Sequence, residues 1–135
     1  MDNGIPIFPA GVLKIYQNPN PPIIPDIDDF DYSKQGGGNP DSTQFGSENQ
    51  KIVDNKGLDD LKVWFEECIK DYLDNVMTLA YKEFWIHESW INKSRPNSAQ
   101  SMHNHSNSLI SGVYYIESTP NHPPLLFEKV AYNAD

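Results

Sequence analysis

Two periods of hydrophobic repetition organise the second half of the chain. Between residues 57 and 77, Leu58, Leu61, Phe65, Cys68, Tyr72 and Val76 recur at three- and four-residue steps, and Trp64, Ile69 and Leu73 widen the stripe. That spacing predicts an amphipathic helix over 57–77, apolar face down against a sheet. Asp59 and Asp60 fall in its first turn, where the helix dipole favours acids, and Asp54 or Asn55 is the expected cap. From Tyr81 the period becomes two. Across 84–92, Phe84, Ile86 and Trp90 share one face, while Trp85, His87, Ser89 and Ile91 share the other. Bulky groups on both faces predict a strand covered by the helix on one side, with Phe84 and Trp90 as core anchors. Further strands are expected at 109–116 and 125–130. The fold class is therefore α+β, a helix packed on a mostly antiparallel sheet.

The first half reads differently. Seven prolines precede residue 41, and the run at 18–25 (NPNPPIIP) suits neither helix nor central strand. Residues 1–50 are expected to form a Pro/Gly-rich acidic arm with at most one short strand, near 12–16, and 51–135 the domain proper. The acidic patch at 26–31 lacks the ligand spacing of an EF-hand loop, so a solvated turn explains it. Gly36, Gly37 and Gly38 lack the following Lys-Ser/Thr of a phosphate loop.

Charge narrows the partners. With 19 Asp+Glu against 10 Lys+Arg, nucleic acid and anionic membrane surfaces are disfavoured. No stretch has the apolar length of a bilayer span, and the N-terminus has no secretory pattern, so a cytoplasmic location is expected. The single cysteine, Cys68, rules out an internal disulfide framework and reads as a helix-face thiol. Association into a homo-oligomer remains open.

The candidate chemistry lies in SMHNHSNSLISGVYYI, residues 101–116. His103 and His105 are two apart, and on an extended segment such positions share a face, so both imidazoles can reach one metal ion. Turn formers surround them, which predicts a strand end opening into a loop. His87, beside Glu88 in the expected strand, reads as a hydrogen-bonded structural histidine. His122, in a proline-rich turn, reads as exposed.

Taken together, Trp90-x-Asn92, then His103-x-His105 with Ser108 and Ser111–Tyr115, then the LLFEK strand from Leu125, resemble the iron- and 2-oxoglutarate-dependent oxygenases. The likeness is to an uncharacterised branch of marine bacteria and phages related to prolyl hydroxylases, and it covers 84–127. The resemblance implies a partial double-stranded β-helix (jelly roll), with Fe(II) as cofactor and 2-oxoglutarate as co-substrate. It implies His103 and His105 as metal ligands, the second histidine standing where the family carries an acid. It also implies that Tyr115 contacts the 2-oxoglutarate carboxylate, while Tyr114 packs in the strand. No catalytic residue beyond the metal ligands is implied. In the family a distal histidine and a clamping arginine follow the LLFEK-like strand. Here Arg95 is the sole arginine and precedes the histidine pair, so the resemblance implies the front part of an oxygenase, weakly active or inactive. A small-molecule or peptide substrate is expected. The competing reading is a non-catalytic β-helix or cupin-like metal-binding module, or a phage interaction protein. The cupin version is weakened because its Glu, four or so residues after the H-x-H, is missing; the next acid here is Glu117.

Overall fold

The computed structural model describes residues 4–8, 11–21, 30–34, 44–96, 98, 100, 102–105, 107–118, 120–121 and 124–128. The chain divides into two compact units: residues 1–15 with 102–135, and residues 16–101. In the first unit, β1 (Ile5–Phe8) pairs antiparallel with β2 (Gly11–Leu13), with a register shift between Pro6 and Phe8. Gly4 enters this hairpin at φ +87, and a Cβ there would sit 2.7 Å from Val12 Cγ1. Only glycine fits both the angle and the space.

The second unit holds the buried core. A three-stranded antiparallel sheet in the order β3-β4-β5 uses β3 (Tyr32–Lys34), β4 (Gln44–Ser47) and β5 (Asn92–Ser94). A 3-10 turn (Ile52–Asp54) leads into α1 (Asp59–Asp71), whose last turn widens into a π-helix (Tyr72–Met77). The predicted helix is thus present, within two residues of its expected start and at its expected end. Leu58 (1% exposed), Leu61 and Leu73 are buried with Ile52, Val53 and Ile91. Helix and sheet together give the α+β class.

Several expectations are corrected. The helix packs on the 3-10 turn. Its N-cap is Leu58, with no side-chain cap; the Leu58 N–H donates to the Asn55 carbonyl at 3.1 Å. Asp54 instead takes the Lys62 ammonium at 2.7 Å. Among the described residues of 1–50 there are four short strands, where at most one was expected. The strand predicted at 84–92 is mostly irregular, and neither 109–116 nor 125–128 forms a strand; 129 and 130 lie outside the described residues. The physical reason is that alternation makes a segment fit for a ladder without supplying its partner. The partner that 89–91 finds is the chain at 47–52. Ser47 N–H donates to the Ile91 carbonyl (2.9 Å), Ser89 N–H to Gln50 (2.9 Å) and Ile52 N–H to Ser89 (3.0 Å).

This docking also moves the core. Ile91 is buried, while Phe84 and Trp90 are only half-buried and Trp85 is 69% exposed. Ser47 is 1% exposed, and its hydroxyl donates to the Asn49 carbonyl (2.9 Å) and accepts the Ile91 N–H (3.1 Å). A buried serine is tolerated because both its hydrogen-bonding roles are filled. On β5 and just beyond it, Lys93 lies over the Tyr32 ring (4.4 Å) and Arg95 over Phe45 (5.2 Å). Such cation–π stacking contributes about 0.5–1 kcal/mol at exposed sites. Acidic side chains organise the helix's far end. Tyr16 donates its hydroxyl to Asp71 (2.6 Å), Tyr81 to Asp74 (2.9 Å), and Lys70 pairs with Asp74. Burial, then the bond to Asp71, pushes the Tyr16 phenol well above its ordinary value.

Candidate metal-binding site

The histidine pair sits in the first unit, on residues 102–105, which form no regular element. The imidazoles of His103 and His105, two residues apart, lie together. Their ring centroids are 5.1 Å apart and the planes cross at 80°, edge to face. Both are exposed. Two imidazoles bound to one ion at about 2.0–2.1 Å bring their ring centres to a separation of this order. The donor set is two neutral nitrogens, suited to Fe(II) and its neighbours in the transition series.

Among the described residues, no group of three or more His, Cys, Asp or Glu is arranged to hold a metal. His87 lies in the other unit, exposed, with its Nε2 3.8 Å from Glu88, and its carbonyl accepts from Lys51. At 3.8 Å the contact with Glu88 is too long for the hydrogen bond expected of a structural histidine. His122 lies outside the described residues. Among the described residues the two histidines do not form part of a complete facial triad.

Tyr115, like the histidines, belongs to the first unit and is 46% exposed, while Tyr114 is half-buried. Its phenol can donate a hydrogen bond to a carboxylate. Cys68 is a half-buried thiol on α1. What the sequence reading missed is the engagement of Arg95 with Phe45; its only sequence signal is the alternate placement of Lys93 and Arg95. Among the described residues no helix is long and apolar enough to cross a membrane.

Comparison with curated proteins and with solved structures returns no match. Residues 88–133, which carry His103, His105 and Tyr115, match the family described as "Putative 2OG-Fe(II) oxygenase", and this stretch is similar to the 2-oxoglutarate- and iron-dependent oxygenases.

Proposed function

We propose that this chain is a 2-oxoglutarate- and Fe(II)-dependent oxygenase domain of the hydroxylase type, built on a double-stranded β-helix, with His103 and His105 as its metal-binding pair. The observation that carries this reading is the adjacency of the two imidazoles inside the matched stretch. In such enzymes the bound iron and 2-oxoglutarate supply the oxidising chemistry. What this chain supplies is more limited. His103 and His105 offer two imidazole nitrogen donors to a metal ion. Tyr115 offers a phenol to orient a carboxylate. The absence of a third donor among the described residues favours a second reading, a metal-binding module without turnover.

Calorimetric titration with Ni(II) or Co(II), with and without 2-oxoglutarate, tests the proposal. Weak binding that disappears in His103→Ala and in His105→Ala is expected, with a 2-oxoglutarate increment that disappears in Tyr115→Phe. Metal affinity that survives loss of both histidines would refute it. Decarboxylation of 2-oxoglutarate separates the enzyme from the non-catalytic module.

A further inference from the structure

A concave feature lies within residues 16–101, away from the histidine pair. Asp60, Trp64 and Glu67 recur at four- and three-residue steps on α1, so the helix carries them on one face. Across from them runs the loop of Asn18, Pro19 and Asn20, and the two walls border a cleft of about 290 Å³. Clefts for small ligands begin at roughly this size, about 300 Å³. The loop wall is tied down at its start. Tyr16 donates its hydroxyl to Asp71 of the same helix at 2.6 Å, and the Asn20 N–H donates to Asn18 Oδ1 at 2.9 Å. Trp64 is half-buried, while Asp60 and Glu67 on either side of it are exposed.

The charges in this cleft are unbalanced. Among the described residues no Lys or Arg lines it, and neither the Asp60 nor the Glu67 carboxylate takes part in an ion pair or hydrogen bond. The helix's own lysines, Lys62 and Lys70, are engaged by Asp54 and Asp74. Seven residues of helix separate the two acids by about 10 Å along the axis. That span is too long for both to hold one metal ion, yet it brackets an indole. An aromatic face attracts a cation, and tryptophan does so most strongly. A neutral ligand would leave both carboxylates uncompensated, and an anion would be repelled. We propose that this cleft binds a small organic ammonium ion, with its cationic head at Trp64 between Asp60 and Glu67 and its polar tail towards Asn18 and Asn20. The site uses neither His103 nor His105, so its test is separate from that of the metal reading.

Titration of the full chain with choline, followed by nitrogen–proton correlation NMR, tests it. The Trp64 indole signal, assigned by its loss in Trp64→Phe, is expected to shift and saturate ahead of those of Trp85 and Trp90. The uncharged analogue of choline, with carbon in place of nitrogen, should leave it unmoved at matched ionic strength. Asp60→Asn combined with Glu67→Gln should weaken choline binding roughly tenfold. Both carboxylates are exposed, so circular dichroism should report an unchanged helix in that variant. Phosphatidylcholine vesicles should give no response, because the headgroup phosphate would meet the same two carboxylates. An unmoved Trp64 signal, an equal response from all three indoles or equal binding of the uncharged analogue would overturn the proposal. So would full affinity in the double variant, or a response to the vesicles in place of free choline.

Discussion

Residues 44–96 and residues 102–128 are built on opposite terms. Every buried apolar side chain among the described residues falls in the first stretch, between Ile52 and Ile91. Its buried polar groups are almost all paired, Ser47 being the clearest case. The second stretch exposes Met102, Leu109, Val113, Leu125, Leu126 and Phe127, and carries the histidine pair. What holds the fold and what the proposed chemistry would use are thus carried by separate residues. Substitutions in the two stretches should therefore move different observables.

The largest effect is expected at Leu58. Leu58→Ala removes a side chain that is 1% exposed and should cost about 2–5 kcal/mol, whereas Leu109→Ala should stay within about 0.5 kcal/mol. Guanidinium unfolding followed by the helical signal measures both. Equal losses would erase the contrast between the stretches. Next comes Ser47→Ala, which strands the buried Ile91 N–H and should cost about 1–3 kcal/mol in the same assay.

A smaller effect of opposite sign is expected where the π-helix ends. Thr78 closes it at φ +50, a left-handed angle that a β-branched residue adopts at a cost. Thr78→Gly should raise stability by about 0.5–1 kcal/mol, read as a shift in denaturant midpoint. The smallest effect concerns pH. The Lys62 ammonium holds the Asp54 carboxyl below the ordinary aspartate value. A lowered carboxyl contributes stability above the unfolded-state value and loses it as pH falls through the folded-state value. The stabilities of wild type and Lys62→Met should therefore differ at neutral pH and converge in acid. In a carbon-detected NMR titration, Asp54 should titrate higher in the variant.

How much of this was legible in the sequence depends on the range of the interactions involved. The helix at 57–77 was readable because its signal is local, each apolar residue facing the next one turn away. The strands were not. Phe84, Ile86 and Trp90 alternate well, but a ladder needs a partner, and the chain at 47–52 engages only 89–91. The observed sheet is drawn from short segments such as Gln44–Ser47, whose pattern carries no strong period. Ile91, not Trp90, is buried because the docking geometry shifts the inward phase by one residue. The histidine pairing was legible, since two-residue spacing needs only an extended backbone and not a formed strand.

The most direct test of the metal reading follows the ring protons of all four histidines by NMR while Co(II) is added. The account predicts that His103 and His105 broaden and shift together, ahead of His87 and His122, and that the dispersion from residues 44–96 is unchanged. Equal response from all four histidines, or a first response at His87, would contradict it.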